Sequence, residues 1–242
     1  MTSPRPLDQS FGRQTVTVDE RKSRIRRVFD AVAPRYDLMN DLMSFGIHRL
    51  WKRTLARRVA EVGGTTVDLA GGTGDVAALL CDGRRRVIVC DPSLAMMRAG
   101  RPRQSKDIVW LGGEAEKLPF ADASVDLLTV SFGLRNATVL EAALVEIRRV
   151  LRPGGRFVCL EFSRPHFWLA PFYDLYSWLV IPLLGAAVAG ETSAYRYLVE
   201  SIRRFPDQKA FARLVADAGF QAVRWENLSF GIACLHFAEV PA

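Results

Sequence analysis

The run Asp68-Leu69-Ala70-Gly71-Gly72-Thr73-Gly74-Asp75 follows the β-branched stretch Thr65-Thr66-Val67 and precedes a helix-like segment. A strand that ends in a glycine hairpin and hands over to a helix start is a nucleotide-binding turn. Glycines let the backbone approach a ligand where a Cβ would collide, and the helix start offers unpaired N–H groups and a positive dipole end. The turn therefore commits the chain to an α/β architecture with its pocket at the carboxyl ends of the strands.

Two classes of ligand fit such a turn. Gly72-x-Gly74-x-x-Ala77 matches the dinucleotide fingerprint with Ala in the last place, a weak signal when it stands alone. Asp68, inside the strand end, places a carboxylate beside the pocket, where it would repel a pyrophosphate and suits a cationic or hydroxyl-bearing ligand. The next strand ends in Asp91, 17 residues after Gly74, where a carboxylate accepts hydrogen bonds from ribose hydroxyls. Ribose is common to both ligand classes, so Asp91 does not discriminate between them.

Short β-branched runs alternate with longer amphipathic ones, the pattern of a doubly wound sheet. Strands are predicted at Thr65–Ala70, Arg86–Cys90, Ile108–Leu111, Val125–Ser131 and Arg156–Phe162, with helices at Asp75–Cys81, Ser93–Ala99, Ala137–Val150 and Asp207–Ala218. Gln221–Leu228 and Gly231–Ala238 read as a terminal strand pair. The 242 residues, 49% of them hydrophobic, fill one sizeable core, so residues 1–242 are expected to form a single domain. The four cysteines lie far apart, with no Cys-x-x-Cys pair and no neighbouring histidines, which indicates neither a disulfide framework nor a zinc site. Met1 to Val18 carries no apolar core of a secretory signal, and a cytoplasmic location is expected.

The net charge is +7, with the excess at Arg21-Lys22, Arg24, Arg26-Arg27, Arg49, Lys52-Arg53, Arg57-Arg58 and Arg84-Arg85-Arg86. Residues 1–27 read as a basic, flexible arm. No nucleic-acid motif accompanies the charge, so nucleic acid is not an expected partner and peripheral docking to an anionic membrane surface is preferred. The most apolar segment runs from Phe167 to Leu184 and is interrupted by Pro171, Asp174 and Pro182. A spanning helix wants about 20 uninterrupted apolar residues, so a buried or interfacial helix is predicted here.

Beyond the glycine turn, the chain carries Tyr36-Asp37-Leu38-Met39-Asn40-Asp41, Ser44-Phe45-Gly46-Ile47-His48-Arg49-Leu50-Trp51-Lys52 and Ser131-Phe132-Gly133-Leu134-Arg135-Asn136. It continues with Arg149-Val150-Leu151-Arg152-Pro153-Gly154-Gly155-Arg156, Leu160-Glu161-Phe162-Ser163 and Tyr195-Arg196-Tyr197-Leu198. In this order, from about Val28 to His236, the chain resembles the quinone-biosynthesis C-methyltransferases, the S-adenosylmethionine-dependent demethylmenaquinone and ubiquinone ring methyltransferases.

That resemblance implies a Rossmann-like class I methyltransferase: a doubly wound, mostly parallel seven-stranded sheet with a helical lid insertion over residues 163–205. It implies S-adenosylmethionine as cofactor, held by Asp68, Gly72, Thr73, Gly74, Asp91, Glu114, Ala115 and Ser131. Glu114 departs from the Asn or Asp that many relatives carry before the Ala-Glu pair. A prenylated quinol is the implied acceptor, with demethylmenaquinol to menaquinol the favoured step. The alternatives are another phenolic acceptor and a non-catalytic scaffold of a quinone-synthesis assembly.

Methylating a hydroquinone carbon requires loss of a phenol proton, stabilisation of the phenolate and near-linear alignment with the donor. Arg135 and Asn136 are the candidates for that work: Arg135 is permanently cationic and Asn136 both donates and accepts. Asn136 is equally placed to cap a helix starting at Ala137. Tyr36, Asp37, Arg196 and Tyr197 are expected to form a lid over the acceptor. His236 is expected to be a buried imidazole, with a role at the acceptor as the competing reading.

Overall fold

A computed structural model of the chain describes residues 10–11, 14–33, 36–189 and 192–242, and along 180–196 only the course of the backbone. Among the described residues, seven strands form one sheet: β1 (Gly64–Leu69), β2 (Arg85–Asp91), β3 (Val109–Gly112), β4 (Val125–Ser131), β5 (Leu151–Phe162), β6 (Gln221–Leu228) and β7 (Ala233–Glu239). Their order is β3-β2-β1-β4-β5-β7-β6. Only β7 runs antiparallel to its neighbours, pairing Cys159 with His236 on one side and Trp225 with His236 on the other. This is the doubly wound, mostly parallel sheet that the sequence implied.

The side-chain period of two sends the apolar strand residues into two separate cores. Val67, Leu69, Cys90, Leu128, Val130 and Phe157 face one side, beneath the helices Leu140–Val150 and Gln208–Asp217. Val87, Val89, Leu127, Val158 and Leu160 face the other, beneath Ile47–Arg58 and Asp75–Leu80. Numbered along the chain, the helices are α1 (Val18–Val32), α2 (Tyr36–Ser44), α3 (Ile47–Arg58), α4 (Asp75–Leu80), α5 (Leu94–Gly100), α6 (Leu140–Val150), α7 (Ala170–Ala189), α8 (Thr192–Arg204) and α9 (Gln208–Asp217).

Two expectations need correction. The supposed flexible arm is helical from Val18 onward. Thr17 and Glu20 close a capping box at its start, and buried Arg21 donates to the carbonyls of Asn136 at 3.2 Å and Ala137 at 2.9 Å. The helix expected from Ala137 begins at Leu140, because Leu134–Asn136 forms a 3-10 turn; Glu116, not Asn136, accepts from the N–H groups of Thr138 and Val139 at its entrance. The apolar segment is helical as expected, from Ala170 past Pro182 to Ala189. No described helix is long and apolar enough to cross a membrane.

α2, α7 and α8 build the cover over the strand ends. Tyr176 donates its hydroxyl to the Met43 carbonyl at 2.8 Å, which ties α7 to α2. Val32, Met39 and Val199 bury one another beneath this cover. Nothing in the glycine turn specifies these contacts.

Candidate active site

Two cavities meet over the carboxyl ends of β1, β2 and β4. The smaller, about 120 Å³, is lined by Gly72, Asp91, Met96, Glu114, Ala115 and Ser131, among others. Asp91 sits at its base, where its carboxylate accepts from the backbone N–H of Gly72 at 2.9 Å and of Ser93 at 2.7 Å. Burial pushes the Asp91 carboxyl up to about 6, since the two N–H groups only partly replace lost water. Such a carboxylate gains from further hydroxyl donors. Gly72 has φ +55°, and a Cβ there would lie 3.2 Å from Met96 Cε, so the position favours glycine.

Ala70 and Phe132 on the cavity wall also take left-handed backbone, with φ of 52° and 58°. A non-glycine residue in that region costs on the order of 1 kcal/mol, and such strain concentrates at functional sites. The cause is visible at Gly133, where an added Cβ would sit 2.4 Å from the Ala70 Cβ. The loops after β1 and β4 are pressed together there.

Several residues expected to touch the cofactor support the loop from behind instead. Asp68 is buried beneath the turn, accepting from the Ala77 N–H and from the Thr129 hydroxyl, each at 3.1 Å. These bonds hold the turn to β4 and to the start of α4; burial raises the carboxyl to about 7, and Asp68 does not line the cavity. Thr73 donates to Asp37 at 3.1 Å, and Asp37 also pairs with Arg103 at 2.8 Å. Asp37 thus clamps the glycine loop and lines neither cavity. Gly74 is required because a Cβ would strike Trp110 at 2.7 Å. Glu114 does line the cavity, held by Lys22 of α1 at 2.6 Å.

The larger cavity, about 330 Å³, lies under α2, α3 and α7 and is mainly apolar. Trp51, Phe132 and Phe162 form one aromatic wall, with Phe132 and Phe162 centroids 4.6 Å apart. Its polar lining includes Tyr36, Ser44, His48, Lys52, Arg135 and Tyr173. Tyr36, Ser131 and Phe132 belong to both cavities, so the two compartments adjoin across those three residues.

Arg135 is 4% exposed and pairs with Glu161, itself 1% exposed, at 3.1 Å; a second N–H bond goes to the Phe132 carbonyl. Burial raises the Glu161 carboxyl and the guanidinium opposes that rise. The Nε–H of Arg135 has no partner among the described residues, and neither does the hydroxyl of Ser131. Asn136 lines the smaller cavity and accepts from the buried Tyr197 hydroxyl at 3.1 Å, which places Tyr197 of α8 behind Asn136.

His236 lies away from both cavities. Its Nε2 is 2.9 Å from the Gln208 carbonyl, its ring stacks edge-on against Phe211, and burial holds it down at about 4. The side chain of Arg196 falls outside the described residues. Sequence reasoning singled out neither His48 nor the Glu161 partner of Arg135. Glu161 was legible in principle, as an acid inside a buried strand.

An orphaned Ser131 hydroxyl, a hydroxyl-seeking Asp91 and a glycine cradle fit the ribose and amino-acid moieties of S-adenosylmethionine. With this strand order, the fold and site define a class I S-adenosylmethionine-dependent methyltransferase. The model of the ubiE/COQ5 methyltransferase family matches residues 15–239, and the chain belongs to that family.

Its relatives agree. A ubiquinone/menaquinone biosynthesis C-methyltransferase of Rubrivivax gelatinosus is 63% identical over 237 residues, covering 98% of this chain and 94% of that protein. The mitochondrial 2-methoxy-6-polyprenyl-1,4-benzoquinol methylase of Homo sapiens is 40% identical, over 96% of this chain and 84% of that one. Among solved structures, a SAM-dependent methyltransferase of Thermotoga maritima superposes with TM-score 0.66 at 20% identity, over 89% of this chain and 99% of that one. A phosphoethanolamine N-methyltransferase of Haemonchus contortus, solved with S-adenosylhomocysteine, gives TM-score 0.57 at 13% identity, over 75% of this chain and 49% of that one. These two likenesses concern the fold alone.

Proposed function

We propose that the chain methylates a ring carbon of a prenylated hydroquinone, with demethylmenaquinol to menaquinol as the first candidate step. The observation that carries this reading is the pair of adjoining cavities. A compact polar one suits the donor, and a larger apolar one, lined by aromatic rings, suits a quinol ring and the first part of its tail. The cofactor supplies an electrophilic methyl group on a sulfonium whose leaving group is a neutral thioether.

The protein's own groups do the remaining work. Asp91 accepts from ribose hydroxyls, and Ser131 offers its unpartnered hydroxyl at the junction. Phe132 and Tyr36 hold the acceptor ring against the donor compartment, so alignment replaces an encounter in solution. Arg135, with Nε–H unspent, stabilises charge developing on a ring oxygen. Asn136, oriented by Tyr197, lies on the donor side.

The acceptor would arrive from a membrane. Phe45, Phe172, Leu175 and Leu179 are exposed on or beside the helices that cover the large cavity, and the chain as a whole carries a net charge of +7. An anionic lipid surface complements that combination. Co-sedimentation with anionic vesicles should fall as salt is raised; no association even at low salt overturns this part.

Mass spectrometry with methyl-labelled S-adenosylmethionine tests the reaction. Reduced demethylmenaquinone and a reduced polyprenyl-methoxybenzoquinone are offered separately. A labelled C-methyl product with either supports the reading, and cofactor binding without transfer to either overturns it.

A further inference from the structure

The ring-activation step needs a group that takes a proton, and most polar groups lining the acceptor cavity are ill suited to it. Arg135 is permanently cationic and engaged by Glu161. Burial pushes the Tyr173 phenol up to about 12, and Lys52 is held by Asp75 at 3.1 Å. His48 is different. It lies one residue into α3, directly after the α2–α3 turn, and is only 4% exposed while lining the cavity.

Its tautomer follows from its neighbours. The Ser44 hydroxyl lies 2.7 Å from the Asn40 carbonyl, which can only accept, so the single hydroxyl hydrogen of Ser44 points there. Ser44 Oγ lies 2.7 Å from His48 Nδ1 and is left as an acceptor toward it. Nδ1 therefore carries the hydrogen and Nε2 carries the lone pair. Nε2 makes no hydrogen bond among the described residues; the nearest acid is Asp41, whose Oδ1 lies 3.9 Å away.

We infer that His48 is the proton acceptor of the methyl-transfer reaction, presented to the hydroquinone as an Nδ1–H tautomer by the Asn40–Ser44 relay. This rests on the acceptor chemistry proposed above. As the ring carbon bonds to the methyl carbon, the S–CH3 bond breaks and its electron pair stays on sulfur. The hydroxyl oxygen of the ring becomes strongly acidic at that moment, and its proton passes to Nε2, so a weak base suffices. The resulting dienone loses the hydrogen of its methylated carbon to water as a proton. Its oxygen then recovers the proton held by His48, so that one proton in all is released and the imidazole is regenerated.

The charges around the ring act in both directions. Asp41 on α2 is kept ionised by Arg49, which grips it at 2.6 Å and holds its carboxyl below the usual range. Arg49 and Lys52 on α3 oppose charge on the ring, Asp75 on α4 favours it, and Tyr36, Tyr173 and Arg135 face the same cavity. Burial foremost, then Lys52, brings His48 down to about 4, which leaves it unprotonated near neutrality and ready to accept.

His48→Gln tests the inference, with cofactor binding by calorimetry as the check on folding. The expected result is cofactor affinity within a factor of about two and kcat lower by about 10²–10⁴-fold, the usual contribution of a general base. Ser44→Ala, which releases the tautomer, should lower kcat a few fold. A second readout is the pH profile of kcat: wild-type turnover should fall as pH drops toward 4 and His48 becomes protonated, and the residual turnover of His48→Gln should lack that limb. A folded His48→Gln protein with wild-type kcat, or with the same acid limb as wild type, overturns the role of His48. A wild-type enzyme that binds cofactor yet methylates no prenylated hydroquinone overturns the function itself and the inference with it.

Discussion

The donor and acceptor compartments share three residues and are built by different means. The donor side is built round the ends of three adjacent strands, at Leu69–Gly72, Asp91 and Ser131, and is closed by Glu114 beyond β3 and by Lys22 of α1. The acceptor side is assembled from α2, α3, α7 and α8, drawn from both ends of the chain. Backbone geometry specifies the first; side-chain packing specifies the second. Changes on the donor side should therefore move single affinities, and changes at the shared wall should move the whole structure.

The largest expected effect falls directly behind that wall, where Arg135 holds the Phe132 carbonyl. Glu161→Ala leaves the Arg135 guanidinium buried without its carboxylate, and breaking such a pair costs about 3–5 kcal/mol. Thermal or denaturant unfolding should register the loss together with loss of activity. Replacing both partners, as Arg135→Met with Glu161→Leu, should recover much of the stability but none of the turnover. Recovery of turnover would show that the pair only fills space and that the two compartments need no charge between them.

Asp91→Ala sharpens the contrast from the donor side. A hydrogen bond to a charged group contributes about 1.5–3 kcal/mol, so cofactor Kd should rise roughly 10–100-fold. Binding of a prenylated nitrophenol should stay at its wild-type value, measured on the same protein. A parallel loss of both affinities would mean that the compartments are not separable.

Acidity probes the same carboxylate. Asp91 is raised to about 6 in the free protein, so the folded state binds more protons than the unfolded one and its contribution to stability declines as pH rises through 6. Hydroxyl donors from a ribose favour the ionised form, so cofactor binding should release a proton near pH 6. Affinity should accordingly fall about tenfold between pH 7 and pH 5, with calorimetry in buffers of different ionisation enthalpy reading the proton release. A flat affinity across that range would remove Asp91 from the ribose.

The contrast also explains what the sequence disclosed. The turn from Asp68 to Asp75, the strand ends and Asp91 are local patterns, visible because a strand followed by a glycine loop admits few conformations. Asp68 and Thr73 brace the loop from behind for a physical reason: residues that shape a loop and residues that face its pocket alternate within one motif. Asp37 meets Thr73 only across 36 positions of chain, and Arg21 reaches Asn136 and Ala137 across more than a hundred. No periodicity encodes such pairings. His48 escaped notice because a histidine one residue into an amphipathic helix looks like any core histidine until Ser44 and Asn40 are seen behind it.

The smallest effect expected lies at the mouth of the acceptor side. Phe172 and Leu175 are 71% and 66% exposed on α7, and Phe172 also lines the cavity. If the prenyl tail leaves the cavity along this helix, Phe172→Ser and Leu175→Ser each remove apolar area that the tail would cover, a loss of about 0.5–1 kcal/mol at 25 cal/mol per Å² over the 20–40 Å² or so involved. KM for a long-tailed acceptor should rise a few fold, while a tail-less hydroquinone is methylated as before. Cofactor affinity should not change, since neither residue touches the donor compartment. Equal effects on tailed and tail-less acceptors would place the tail elsewhere and leave α7 a cover for the ring alone.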